Sequence, residues 1–249
     1  MEWDSRWRQG DEVEGLTWGV LLDGKQVLDT FIKLGCVIRP NDIVLEVGPG
    51  YGRIFEAFRK KFQFKRWYMV EVNPTYCKKL GEKFKEDTRL KILNQDVNQL
   101  SLPEPFDIGI STLTFLHLYP DFSQGLGAII KHIKSNGRFL LELPPPSRDQ
   151  CAYCDYGAVQ CVINSYSEKS VLDFIELSGA SLESSGVVQY EVEGKTQILY
   201  CIRKSSIGPN EILRRIRSLE RTLAILRDHA NVIAKKTGAS EIYQVFGSS

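Results

Sequence analysis

The chain has 249 residues, 43% of them hydrophobic, enough to bury one substantial α/β core with a short appendage. A formal charge of +1, with 25% charged residues of both signs, excludes a surface built throughout to grip nucleic acid or acidic lipid. Glu2, Asp4, Arg6 and Arg8 occupy the start and no run of about 18 apolar residues occurs, so neither a secretory leader nor a membrane span is expected. Six scattered cysteines, Cys36, Cys77, Cys151, Cys154, Cys161 and Cys201, fit reduced thiols in a cytoplasmic setting, without structural disulfides.

In chain order, residues 1–35 carry Trp3, Trp7 and Trp18 with Glu12 and Glu14 between them. This segment either covers the site as a partial lid or packs as a tryptophan-anchored helix or arm. Ile43 to Val47 is a short β-branched run followed by glycines and the helical Arg53 to Lys61, a first strand–turn–helix unit. Trp67 to Val72 predicts a second strand, and Pro74 opens a helix over Thr75 to Phe84. Strands are predicted over Leu90 to Leu93 and Phe106 to Ser111, then a helix over Gly125 to Lys134 stopping near Asn136-Gly137, then a strand over Arg138 to Leu143. After Pro144 to Pro146 an irregular stretch is expected, followed by a helix over Ser167 to Ser178 that stops at Gly179. Gly186 to Val192 and Thr196 to Arg203, joined by Glu193, Gly194 and Lys195, predict a closing antiparallel hairpin. Alternating strands and helices demand a parallel sheet covered on both faces, here with seven strands and an antiparallel edge.

The strongest local signal is Glu46-Val-Gly48-Pro-Gly50-Tyr51-Gly52-Arg53, where alternate glycines let the backbone pass beneath a ligand while turning into a helix. The third glycine falls one residue earlier than in a dinucleotide fingerprint. Glu71 ends the second strand 19 residues past Gly52, where Rossmann-type sites place an acid on ribose hydroxyls. Asp96 follows the third strand, placed to accept from an adenine amino group, and Ser111 ends the fourth and completes the floor.

Glu46-x-Gly48-x-Gly50-x-Gly52, Glu71, Asp96 and Phe106-Asp107 leading to Ser111 resemble the class I S-adenosylmethionine-dependent methyltransferases over roughly residues 36 to 203. The resemblance implies a sheet in the order 3-2-1-4-5-7-6, a methyltransferase domain over residues 36–204, and S-adenosylmethionine as cofactor. It places Glu46, Gly48, Gly50 and Gly52 along the methionine half, Glu71 on the ribose, and Asp96 with Val97 around the adenine. Tyr51 and Arg53 stand nearby as cofactor-positioning or structural residues. Methyl transfer consists largely of holding two molecules in line and excluding water. His117, just past the strand end that faces the transferred group, is the candidate general base, against the plainer reading that it packs or hydrogen-bonds.

Ser111-Thr112-Leu113-Thr114 stands where adenine amino methylation in the family uses an Asp/Asn-Pro-Pro-aromatic turn, and no cysteine sits there to attack a pyrimidine ring. An oxygen or nitrogen of a small molecule or glycan-type acceptor is therefore expected. Cys151-x-x-Cys154 with Cys161 lacks a second ligand pair, so a substrate-facing or structural loop is expected there and no metal.

Residues 205–249 form a helical extension. In it Ile212, Ile216, Leu219, Leu223, Leu226, Ala230 and Ile233 alternate spacings of four and three, which suits a coiled coil. The stripe predicts a homodimer or partner helix through residues 209–236, or docking on the chain's own domain. Arg214, Arg217 and Arg221 are expected on the outer face, and the net +6 over residues 203–236 leaves RNA or a membrane surface as an alternative partner, with an RNA methyltransferase or a non-catalytic cofactor-binding scaffold as the alternative functions.

Overall fold

A computed structural model describes residues 24–156, 159–191, 195–205 and 210–237, so the tryptophans of the first segment and the Glu193-Gly194 turn lie outside the described residues. The central strand is β1 (Ile43–Val47), buried along its whole length. It pairs in parallel with β2 (Arg66–Glu71) and β4 (Phe106–Ser111). β3 (Leu90–Asn94) extends the sheet beyond β2, and β5 (Ile133–Leu143) beyond β4. β9 (Thr196–Lys204) and then β8 (Ala180–Gln189) close it as an antiparallel edge. Counted within this sheet, the order is the expected 3-2-1-4-5-7-6.

The two-residue period of β1 builds both cores. Ile43, Leu45 and Val47 lie on the face covered by α4 (Ser123–His132) and α5 (Glu168–Leu177), in one buried cluster with Leu126, Ile129, Val171 and Phe174. Val44 faces α1 (Lys25–Lys33), α2 (Arg53–Lys61) and α3 (Pro74–Lys83) through Val27, Phe31, Ile54, Phe55 and Leu80. Each fully buried phenylalanine contributes about 1.5–3 kcal/mol relative to exposure. Part of the segment expected to cap the site is therefore core: in α1, Val27 and Phe31 are completely inaccessible.

Three boundaries differ from the sequence reading. α4 starts at Ser123, whose N–H donates to Asp121 at 2.8 Å, and it yields to β5 at Ile133, so Asn136 and Gly137 lie in a strand. β8 starts at Ala180, because Gly179 with φ 81° turns the end of α5 straight into the strand. Its Ser-Leu-Glu-Ser-Ser run is polar because it forms the sheet's edge. Third, the stretch expected to be irregular forms a separate antiparallel hairpin, β6 (Gln150–Tyr156) and β7 (Val159–Ser165), with Cys154 opposite Cys161 in register. The hairpin packs its Val162 and Asn164, both fully buried, against the segment after β4. The long helix α6 (Glu211–Thr237) follows the sheet.

Candidate active site at the carboxyl edge of the sheet

Register sets Val47 beside Val70 and Ser111, so β1, β2 and β4 end level. From that edge the chain turns through Gly48, Gly50 and Gly52 with φ of 67°, 54° and 77°, left-handed conformations that favour glycine. The three glycines serve different ends. A Cβ on Gly48 would collide with Thr114, and one on Gly52 with the ring of Phe84, so both are demanded by packing. A Cβ on Gly50 would meet nothing within 4 Å among the described residues. Its backbone is bare on that side.

Glu71 closes the other wall. It is 6% exposed, it accepts from the Asn73 N–H at 2.9 Å, and the Gly50 N–H also hydrogen-bonds to it. Strand end and glycine turn thus converge. Burial pushes the Glu71 carboxyl up to about 7, opposed by those backbone donors. Asn73 holds its neighbour in place by capping α3, accepting from the N–H groups of Thr75 and Tyr76.

Beyond Glu71, the Gln95 N–H donates to its carbonyl at 3.1 Å, bringing the exit of β3 alongside. There Asp96 caps a 3₁₀ turn over Val97–Gln99 by accepting from the Asn98 N–H at 2.9 Å, and Val97 is buried beneath. Tyr51 leans edge-on against Tyr76 with ring centroids 5.2 Å apart, tying the glycine turn to the start of α3.

Two predicted residues point elsewhere. Ser111, 1% exposed, donates its hydroxyl to the Val47 carbonyl at 2.9 Å and braces the strand ends. Glu46 lies on the opposite face of β1 and accepts from the Trp67 indole at 2.9 Å. Its other carboxylate oxygen has no partner among the described residues. Burial raises its carboxyl to about 7, with the Trp67 hydrogen bond and the Arg53 charge opposing.

Arg53 belongs to a buried network that the sequence reading missed. Its guanidinium donates to Thr112 Oγ1 at 2.9 Å and Tyr190 Oη at 3.4 Å and stands 3.8 Å from Glu142. Tyr190 in turn donates to Glu142 at 2.5 Å. Glu142 is the lone charge in Phe139-Leu-Leu-Glu142-Leu, an otherwise apolar strand, and that was the available signal. The network links the first turn of α2 to the segment after β4.

That segment carries His117. Thr114 donates to carbonyls of the strand end and turn, including Gly48 at 3.3 Å, and Leu113 adopts a left-handed φ of 56°. The short helical turn Phe115–His117 follows. His117 Nδ1 lies 2.8 Å from the Val162 carbonyl of β7, an acceptor only, so Nδ1 carries the proton and Nε2 is the basic nitrogen of the neutral ring. Desolvation lowers the pKa of this imidazole, the Val162 bond opposing, which keeps it neutral near pH 7.

Around His117 the hairpin and α6 form a clamp. Asn164 donates to the carbonyls of Leu116 at 3.2 Å and Leu118 at 2.8 Å. Arg221 of α6, its side chain 10% exposed, donates to Asn164 Oδ1 at 3.0 Å and to the carbonyls of Pro120, Gln150 and Ser165. It also lies over the Tyr166 ring at 4.5 Å. Arg221 therefore faces inward, and so does partly buried Arg214, whereas Arg217 is exposed and paired with Glu220. The expected outer arginine face is corrected in two of its three members.

Cys36 and Cys201 meet as buried thiols with sulfurs 3.8 Å apart. Among the described residues no group of three His, Cys, Asp or Glu side chains could hold a metal, and no helix is long and apolar enough to cross a membrane.

Residues 44–137 match the family model of the methyltransferase domain. The fold around that stretch is that of solved S-adenosylmethionine-dependent methyltransferases. A probable ribosomal RNA small subunit methyltransferase A from Methanococcoides burtonii is 30% identical over 93 residues, 34% of this chain and 33% of that protein. The chain thus matches about a third of that relative's length. Among solved structures, the 1,6-didemethyltoxoflavin-N1-methyltransferase of Burkholderia thailandensis, with its substrate and S-adenosylhomocysteine bound, superposes with a TM-score of 0.61 at 18% identity. That superposition covers 82% of this chain and 86% of that one. A glycopeptide N-methyltransferase complexed with S-adenosylmethionine gives 0.58 at 14% identity, over 74% and 95% of the two chains. At these identities the likeness establishes the fold.

Proposed function

We propose that this protein transfers the methyl group of S-adenosylmethionine to an oxygen or nitrogen of a small molecule or glycan-type acceptor. The observation that carries the reading is the meeting of Glu71 with the turn at Gly50, on whose open side no atom of the described chain stands. Gly48 to Gly52 would hold the methionine half of the cofactor, Glu71 the ribose hydroxyls, and Asp96 with Val97 the adenine. Bound there, the cofactor supplies an electrophilic methyl group on a sulfonium.

The chain's own part is to orient the acceptor, exclude water and accept a proton. His117 is fixed by Val162 with Nε2 as its basic atom, and in a neutral ring that atom can take a proton from the acceptor. The clamp of Asn164 and Arg221 holds the carbonyls on both sides of His117 and so fixes where Nε2 stands.

An RNA acceptor is the second reading, favoured by the ribosomal RNA methyltransferase relative. Two observations weigh against it. That match covers only about a third of each chain, and of the nine cations in residues 203–236, Arg221 and Arg214 are turned toward the chain's own domain. Methyl-labelled cofactor incubated with fractionated cell extract, with and without ribonuclease, tests both. Label in a ribonuclease-resistant small molecule or glycan is the expected result; label lost on ribonuclease treatment would select RNA. Calorimetry showing no association of S-adenosylmethionine with the folded chain would remove both.

A further inference from the structure

The apolar stripe of α6 faces away from the rest of the molecule. Ile212, Ile216, Leu219, Leu223 and Leu226 are 74%, 45%, 63%, 64% and 45% exposed. Arg214, Ser218, Arg221 and Ile225, spaced four, three and four apart, form the opposite face and are the ones turned inward. Arg221 makes the contacts described above, Ile225 is 5% exposed, and the Arg214 guanidinium passes over Gly127 of α4. Among the described residues, one face of the helix is committed to its own domain and the other is open.

We propose that the open face is closed by the same helix of a second copy of this chain, forming a parallel two-stranded coil. The first argument is periodicity. Spacings of four and three are sustained from Ile212 through Ala230 to Ile233, about three heptads, the narrow seam of a coiled coil rather than the broader stripe by which a helix lies on a globular surface.

The second is charge. With Ile216 and Leu223 at one core position of the heptad and Leu219 and Leu226 at the other, Arg215 and Glu220 occupy the flanking positions that meet across a parallel pair, and two-fold symmetry forms that pair twice. An antiparallel arrangement sets like flanking positions against each other and loses the match.

The third is geometry. Arg214 and Arg221 lie opposite the seam, so each domain sits outside its own helix and the two copies do not compete for space. The exposed stripe from Ile212 to Leu226 is about 21 Å long, an apolar surface that a lone soluble chain seldom leaves uncovered. A lipid surface fits less well, because acidic Glu220 flanks the apolar face alongside Arg215 and Arg227, while Arg214 and Arg221 are spent on the domain.

The test is sedimentation velocity and light scattering on the full chain over a wide concentration range. A dimer is expected, and Leu219→Glu with Leu223→Glu should convert it to a monomer with unchanged circular dichroism, since both side chains are exposed. Arg215→Glu should weaken the dimer at least tenfold, and adding Glu220→Arg should restore it. A wild-type monomer at every concentration, a dimer that survives both leucine substitutions, or a charge swap that restores nothing would overturn the proposal. So would stripe-dependent binding to anionic phospholipid vesicles by a chain that stays monomeric. None of these readouts depends on methyl transfer.

Discussion

The glycine-turn side and the His117 side of the sheet's carboxyl edge are built by different means. At the glycine turn the geometry comes from backbone: three left-handed glycines, the N–H groups of Gly50 and Asn73 on Glu71, and strand ends level by register. The glycines, Glu71 and Asn73 all lie within one stretch of chain from β1 to the start of α3. At His117 the geometry comes from side chains gathered from far away. Val162 fixes the imidazole from 45 residues on, and Arg221 reaches the Pro120 carbonyl across 101. The first arrangement is set by local backbone; the second depends on contacts brought by a distant hairpin and helix.

Four substitutions test that division, beginning with the largest effect. His117→Ala should lower kcat about 10²- to 10⁴-fold and remove the acidic limb of its pH profile, while the calorimetric Kd for S-adenosylmethionine stays within about twofold. Near-normal turnover across pH would take His117 out of the proton-transfer role. Glu71→Ala should do the reverse, weakening cofactor binding about 100-fold, the equivalent of a buried charge-assisted hydrogen bond pair. Because the Glu71 carboxyl of the ligand-free chain sits up at about 7 and ribose hydroxyls call for its ionised form, wild-type affinity should fall as pH drops below that value.

Arg221→Ala leaves Asn164 Oδ1 and three carbonyls short of a donor and should cost about 2–3 kcal/mol in a denaturant titration. It should lower kcat with cofactor affinity unchanged, and Arg221→Lys should recover only part. A variant that also lost cofactor affinity would show the two sides to be one unit.

Glu46→Gln should have the smallest effect. In the native chain this carboxyl holds its proton to about pH 7, against 4.5 for an ordinary glutamate. The folded state then binds more protons between those values, and stability falls as pH rises through them. Glutamine can still accept from Trp67 and carries no charge, so Glu46→Gln should exceed the wild type by about 2 kcal/mol near pH 8 and lose this contribution to the pH dependence. Equal melting temperatures for the two proteins near pH 8 would place Glu46 in a wetter setting than its burial implies.

What the sequence by itself determined is the sheet and its cofactor edge. Apolar β-branched runs, glycines at alternate positions and acids at strand ends are local signals, because a left-handed turn or a strand fully buried on both faces restricts which residue can stand at that position. Ser111 and Glu46 show where this reading thins: it located their strands but not the Val47 carbonyl or the Trp67 indole that engage their side chains.

Only the tertiary structure decided the other half. The hairpin of β6 and β7 has no clean alternation, and it is held by Asn164 and Val162 packing against a segment more than forty residues earlier. The heptad in α6 was legible as a pattern, yet which face would meet the domain was not. An arginine reads as solvent-seeking until five acceptors and an aromatic ring are brought around it, and those come from residues 120 to 166, which meet α6 only in the folded chain.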